Sequence, residues 1–516
     1  MTATIPQSYS RKIKTRDELI EILGPRPRQK SVIMCHGTFD LVHPGHVRHL
    51  MYAKEKADIL VASLTSDAHI SKANFRPFVP HQLRAMNLAA LEMVDYVLVD
   101  ENPTPIENLK VIQPDYFAKG YEYFNGGLHP KTQEEVDALN TYGGEVLFTP
   151  GDVVYSSSAF IEQAPPNIST DKLAILMESE GVTFDDLRSA LTKFSNVRVH
   201  VVGDTIVDSY VYCTPISSGM AKTPTLSVKY ERQVDYAGGA AVVSRHMRQT
   251  GAKVKFTTVL GEDFYKDFVL HEMEAHDIDC EPIIDSTRVT TQKTVFTANG
   301  YRLLKFDKVD NRPVSGRVLE KLIKSISSSE VDVVVFSDFR HGIFSKSTIP
   351  QLIESIPQGL LRVADSQVAS RWGNILEFQD FDLITPNERE ARFALGDQDS
   401  VIRPLALELY KRAQCKLLML KLGDKGIITY RAPSPDVRSF FTVDSFTEKL
   451  VDAVGAGDAL LSYATLSLVA TGSPVIASIL GSIGAALACE HEGNNPVLPE
   501  DVLKKLDILE RRAHYA

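Results

Sequence analysis

The chain has 516 residues, of which 44% are hydrophobic and 24% charged, with a formal net charge of −10. This is the balance of a soluble globular protein, and the acidic excess argues against nucleic acid as its main partner. A prior of ~150 residues per domain predicts roughly three domains, or two when one is large.

The five cysteines, at 35, 213, 280, 415 and 489, form no CxxC pair. Neither a zinc site nor a disulfide framework is indicated, so a reduced, cytoplasmic setting is expected. The N-terminus lacks the apolar core of a signal peptide. Residues 1–30 read as an extension with two solvated basic clusters, Arg11–Arg16 and Arg26–Lys30. Within it, Thr15-Arg-Asp-Glu18 fits a capping box for a short helix to Leu23.

An apolar run, Ser31 to Cys35, then predicts a buried strand. It ends in a Gly37-Thr38 turn, continues through Phe39 and Asp40, and reaches His43-Pro-Gly-His46, which opens a helix. Backbone N–H groups at a strand-to-helix turn form an anion site. Two imidazoles there add hydrogen bonds to a phosphate as its charge builds in a transition state. Strand-like runs follow at 58–64, 95–99, 115–118 and 144–149.

This segment resembles the HxGH nucleotidyltransferases over roughly 125 residues. Thr38-Phe39-Asp40 matches their T-x-F-D turn, and His43 and His46 match their paired histidines. The resemblance implies phosphate contacts from Gly37, from the loop Lys72, from the strand-end Lys119 and from Ser156, Ser157 and Ser158 at a helix start.

The Pro-rich stretch Ala164 to Thr170 suits a linker. The boundaries read from the sequence are 31–163 for the first domain, 164–196 for linker and helix, and 197–516 for the second. Strand-like runs recur at 197–203, 253–260, 332–337, 361–365, 381–385 and 416–420. The alternation of strands with helices predicts an α/β protein with parallel sheets covered on both faces. Val199 to Asp204 ends in Gly-Asp, with Asp208 four residues on, and Ala237-Gly238-Gly239 opens a helix. Thr385-Pro-Asn387-Glu-Arg-Glu390 closes a strand. Gly455-Ala456-Gly457-Asp458 precedes a long apolar helix. Its glycines let the backbone turn sharply and present N–H groups, while Asp458 is placed to take a proton from a hydroxyl. The apolar stretch Leu466 to Cys489 is broken by Gly472, Pro474 and Gly481, which predicts two packed helices and not a membrane span.

Residues 197–510 resemble the ribokinase-like (PfkB) sugar kinases. That resemblance implies a doubly wound domain with a small β-sheet lid over the sugar, often shared across a dimer. It makes Asp458 the catalytic base and Gly455, Ala456 and Gly457 the anion hole. Asn387 and Glu390 are expected near Mg2+ and the phosphates, Glu390 as a metal ligand, with Asp208, Gly238 and Gly239 at the sugar.

Together the halves resemble the bifunctional sugar-phosphate kinase–adenylyltransferases of ADP-heptose synthesis, in reversed order. The expected activity is phosphorylation of a sugar or sugar phosphate by ATP, then nucleotidyl transfer from ATP or CTP to give an NDP-sugar for surface glycans. The expected partners are small molecules and a second copy of the chain, without nucleic acid or membrane. Val242 stands where that family has Asn, and Asp365-Ser366-Gln367 replaces its Asp-Pro-Lys turn. Those changes predict poor use of heptose 7-phosphate, unless Lys222, Arg245 or His246 restores the charge. A CDP-polyol product, or a domain acting only as ligand sensor or scaffold, remains open.

Overall fold

A computed structural model describes residues 7–70, 77–120, 130–149, 169–216, 226–367, 374–433, 439–491, 493 and 495–515. Lys72, Ser156, Ser157, Ser158, Lys222 and the Pro-rich stretch 164–168 lie outside them. The chain divides into two units, 1–174 and 175–515.

The first unit holds a six-stranded sheet of β1 (Ile13–Lys14), β2 (Val32–Gly37), β3 (Ile59–Thr65), β4 (Tyr96–Asp100), β5 (Tyr116–Gly120) and β6 (Glu145–Thr149). The spatial order is β1-β4-β3-β2-β5-β6, and all neighbours run parallel. Strand period two explains the layers. Ile33 and Cys35 face one core with Leu50, Ala85 and Leu88 from helices Pro44–Lys54 and His81–Ala89. Val32 and Met34 face the other with Leu19, Leu109 and Leu139. The chain reverses direction across the sheet between β2 and β5, the switch point where open α/β sheets bind ligands.

The first 30 residues are not a separate extension. The capping-box helix Arg16–Leu23 forms as expected, but it buries Leu19 and Leu23 in the core, and β1 joins the sheet edge. Arg26 pairs with Asp115 at 3.0 Å, and Arg28 donates to the Gln113 carbonyl at 2.8 Å. The cluster read as solvated therefore caps a neighbouring helix end.

The second unit contains a nine-stranded sheet and a four-stranded sheet among its described residues. Its strands are β7 (Arg198–Gly203), β8 (Thr205–Pro215), β9 (Val228–Gly239), β10 (Lys253–Leu260), β11 (Asp279–Ile284), β12 (Gln292–Ala298), β13 (Tyr301–Lys308), β14 (Val333–Asp338), β15 (Leu361–Ser366), β16 (Leu383–Ile384), β17 (Leu417–Lys421), β18 (Ile427–Arg431) and β19 (Phe440–Val443). The large sheet has the order β11-β10-β7-β14-β15-β16-β17-β18-β19. It is parallel from β11 to β17, and β18 and β19 add antiparallel. The small sheet, β13-β12-β8-β9, leaves the main sheet after β7 and returns at Gly239.

Gly239 has φ 62° and begins helix Ala240–Gln249, and a Cβ on it would lie 2.4 Å from the Asp204 carbonyl. Only glycine fits that return from lid to core. Helices Ala456–Thr471 and Pro474–Cys489 pack on each other as expected from the Gly and Pro breaks. Among the described residues no helix is long and apolar enough to cross a membrane.

Candidate active sites

In the first unit, β2 delivers the chain into a turn that is pinned from below. Phe39 is buried with φ 47°, and Asp40, also buried, accepts the Phe78 and Val79 N–H groups at 2.9 and 2.7 Å. Arg84 is fully buried, and sequence reading gave it only a place in a helix. Its guanidinium donates to the carbonyls of Thr38, Thr65 and Val79 and pairs with Asp67 at 2.6 Å. One planar fork thus fixes three loops around the turn. Asp67 is held at about 2: burial would raise its carboxyl, but His81 and Arg84 outweigh that.

His43 caps helix Pro44–Lys54, accepting the Gly45 N–H on Nδ1 at 3.2 Å. In the neutral ring the proton then sits on Nε2, free to donate to a ligand. His46 stacks on His43 with ring centroids 3.9 Å apart, and its Nδ1 is buried with no partner among the described residues. Burial, then the neighbouring His43 and His49, lower His46 to about 4. Both imidazoles are therefore neutral near pH 7 and ready to charge when an anion arrives.

Lys119 ends β5 beside this turn, but Glu135 already pairs with its ammonium. His36, not singled out from sequence, bridges Ser63 and Thr65 with contacts of 2.9 and 3.2 Å. Gly37 has the Phe39 ring against it, 3.3 Å from where a Cβ would stand.

In the second unit, the parallel strands bring a charged cluster to their carboxyl ends. Gly455 has φ 81° and begins helix Ala456–Thr471, leaving first-turn N–H groups without intrahelical acceptors. Asp458 lies in that first turn. Burial, reinforced by Asp365 and opposed by Lys421, pushes its carboxyl up to about 7, with Asp208 adding to the rise. Asn387 and Glu390 close a reciprocal capping box at 2.9 and 2.7 Å. Burial drives the Glu390 carboxyl up as well, with Lys421 opposing.

Asp208 on β8 faces the Gly238 turn so closely that a Cβ there would lie 2.3 Å from its Oδ2. Burial pushes it up to about 6 against the pull of Lys293 and Lys305. Lys293 of β12 sits opposite Asp208 in register, and sequence reading missed it because β12 carries no apolar run. Asp204 directly follows β7 and Asp338 ends β14, and both are buried. Asp204 accepts the N–H groups of Phe339, His341 and Ile343, while Asp338 pairs with Arg340 at 2.8 Å. The candidate charge donors Arg245 and His246 are buried in helix Ala240–Gln249, with His246 Nδ1 accepting the Val497 N–H. Val242 is fully buried too.

No three His, Cys, Asp or Glu among the described residues form a ready-made metal site.

Residues 197–501 match the family model described as pfkB family carbohydrate kinase, and residues 34–173 match the one described as cytidylyltransferase-like. The chain is similar to curated proteins named Bifunctional protein HldE. The one from Syntrophotalea carbinolica is 40% identical over 141 residues, covering 27% of this chain and 28% of the relative. The one from Desulfatibacillum aliphaticivorans is 26% identical over 330 residues, covering 62% of this chain and 64% of the relative. In each of these matches the chain thus spans less than two thirds of the relative. Among solved structures, phosphofructokinase-2 from Escherichia coli in complex with substrates and products aligns with TM-score 0.51 and 18% identity, covering 61% of this chain and all of that one. Its tetrameric inhibited form aligns with TM-score 0.51 and 17% identity over the same shares.

Proposed function

The chain belongs to the pfkB family of carbohydrate kinases, and from that premise we propose a bifunctional enzyme that phosphorylates the anomeric hydroxyl of a sugar or sugar phosphate and transfers a nucleotidyl group to a sugar 1-phosphate. The observation that carries the reading is that one chain holds two helix N-termini built for phosphate, His43–His46 and Gly455–Asp458.

In the kinase step a sugar hydroxyl oxygen attacks the γ-phosphorus of ATP. The new O–P bond forms as the bond to ADP breaks, the proton passes to the Asp458 carboxylate, and the electron pair leaves with ADP. The N–H groups of Gly455 to Gly457 hold the transferring phosphoryl. Asp208 and the Gly238–Gly239 turn orient the sugar. Magnesium, when bound with the nucleotide, neutralises phosphate charge, and Glu390 beside Asn387 would hold it. In the transferase step an oxygen of the sugar 1-phosphate attacks the α-phosphorus of ATP or CTP, and pyrophosphate leaves. The Gly37–Asp40 turn, His43, His46 and Lys119 surround that phosphate, with Lys72 and Ser156–Ser158 assigned from resemblance alone. The first unit is assigned the transferase and the second the kinase, with ATP as nucleotidyl donor by the chain's resemblance to the ADP-heptose enzymes and CTP as the alternative.

Lys293 beside Asp208 supplies a cation on the lid face, which favours a sugar carrying its own phosphate, against the poor use of heptose 7-phosphate that Val242 and Gln367 predict. Lid residues Tyr230, Tyr301, Leu304 and Phe306 are 61%, 75%, 60% and 55% exposed, and a second copy of the chain is their proposed cover.

Four outcomes test this reading. His46→Ala should cut pyrophosphate release by ~10²–10³ while ADP formation persists, and Asp458→Asn should do the reverse. Loss of both activities in either variant would refute the division of labour. Because Asp458 must be ionised to accept a proton, and its carboxyl is raised to about 7, kcat/KM for the sugar should climb through pH 7 and level above it. A flat profile through that range removes Asp458 as the base. With ATP, mass spectrometry should find a bisphosphate from heptose 7-phosphate and a nucleoside-diphosphate sugar from supplied sugar 1-phosphate, and Lys293→Met should raise KM for heptose 7-phosphate by ~10-fold or more. Equal turnover of the unphosphorylated heptose would reject the sugar-phosphate reading. Sedimentation should give a dimer that Phe306→Asp with Leu304→Asp converts to monomer, whereas a monomeric wild type rejects the lid interface.

A further inference from the structure

Lys421 ends β17, and its backbone is tied on both sides, by the Pro386 carbonyl at 2.8 Å and by an isolated bridge to Asn387. Its ammonium lies 2.8 Å from Asp365 Oδ1, which also accepts the Thr385 hydroxyl at 2.8 Å. The same ammonium is 3.4 Å from where a Cβ on Gly457 would stand. It is thus parked against the phosphoryl-binding turn, held by a strand end on one side and by Asp365 on the other.

An ammonium has three donors, and Asp365 is its hydrogen-bond partner among the described residues. The side chain is 16% exposed, so it is desolvated but not sealed. Burial alone would lower its pKa, yet Asp365, Glu390 and Asp458 outweigh burial and keep it charged. Sequence reading found no lysine in the Asp365-Ser366-Gln367 turn and so left this crevice without a cation.

We propose that Lys421 is a catalytic residue of the kinase, donating from the end of β17 to the phosphoryl group in flight while Asp365 holds it in place. This rests on the kinase reading above. As the hydroxyl oxygen bonds to the γ-phosphorus and the bond to ADP breaks, negative charge spreads over the equatorial oxygens. A fixed ammonium at the Gly455–Gly457 turn meets that charge without reorganisation. Asp365 is a positioning residue, since it acts through Lys421. Each proton stays where it began except that of the sugar hydroxyl, which goes to Asp458.

A lysine that merely neutralised Asp365, Glu390 and Asp458 would act on their ionisation. Its loss would move the acid limb of the pH profile upward and leave the high-pH plateau of kcat intact. A lysine that touches the phosphoryl lowers the plateau itself. The experiment measures full pH profiles of ADP formation by the full chain for wild type, Lys421→Met, Lys421→Gln and Lys421→Arg. ATP binding by calorimetry and thermal unfolding are measured alongside.

The Met and Gln variants should lose ~10²–10³-fold in plateau kcat, bind ATP within about tenfold of wild type, and be partly rescued by Arg. A plateau within about threefold of wild type, with only the limb displaced, overturns the proposal. So does a loss that tracks a collapse of the thermal transition in all three variants, which would make Lys421 structural. A wild-type chain with no kinase turnover on any sugar phosphate would instead sink the kinase reading itself, and the two failures are therefore distinct.

Discussion

A parallel sheet sends every strand-to-helix turn to the same edge. That constraint orders both units. Each right-handed β-to-α crossover returns its chain to the starting edge, so carboxyl ends of strands and amino ends of helices collect on one side. In the first unit the collected groups are the Gly37–Asp40 turn, Thr65, Lys119 and Thr149, beside helix Pro44–Lys54. In the second they are Asp204, Asp338, Asp365, Asn387 and Lys421, beside helix Ala456–Thr471. Residues far apart in sequence, such as Asp365 and Lys421, meet because β15, β16 and β17 are neighbours in register. The backbone N–H groups come with this geometry, and evolution has only to decorate the edge.

The two edges are decorated differently, and the difference follows from what each must stabilise. The first relies on helix N–H groups and two neutral imidazoles, which cost little to bury before a ligand arrives. The second gathers four carboxylates, Asp208, Asp365, Glu390 and Asp458, around Lys421 and Lys293. Burial in this crevice raises the carboxyls, with neighbouring like charges adding to it, which is why Asp458 and Asp208 lie near 7 and 6. Such a site is poor at holding bare phosphate and well suited to phosphate that brings its own cation. It also keeps a carboxylate basic enough to receive a hydroxyl proton, which a fully solvated Asp is not.

Much of this was legible in the chain. The apolar runs at 58–64, 95–99, 253–260 and 332–337 became β3, β4, β10 and β14 with small boundary shifts. Turn glycines and the His pair announced both helix N-termini, because those positions admit few other residues. The lid strands β12 and β13 were not visible. Tyr301 to Lys308 is exposed along nearly its whole length, so no buried face imprints an alternation on it. β18 is buried along its whole length and β19 forms the sheet edge, and both escape the α/β alternation because they add antiparallel. Arg84 looked like an ordinary helical residue, since its meaning lies in three carbonyls contributed by other loops. Lys421 had a local signal, a charged residue closing the apolar run Leu417–Leu420. What the sequence could not carry was its partner, Asp365, two strands away.

The transferase-like segment precedes the kinase-like one in this chain, and the chemistry explains why either order can work. Every described residue assigned to a site comes from a single unit. On the proposed function the two reactions use separate sets of assigned residues, so either order of fusion serves them. What joins them is the intermediate alone. An anomeric phosphate is, on the proposed function, made at one edge and used as the nucleophile at the other. Tethering the two catalysts raises the local concentration of that intermediate at the second site whatever the order of fusion, provided the linker spans the gap. Selection on such a pair acts on the two edges and on the sugar-reading lid. This chain departs from the pattern it otherwise resembles at Val242 and Gln367.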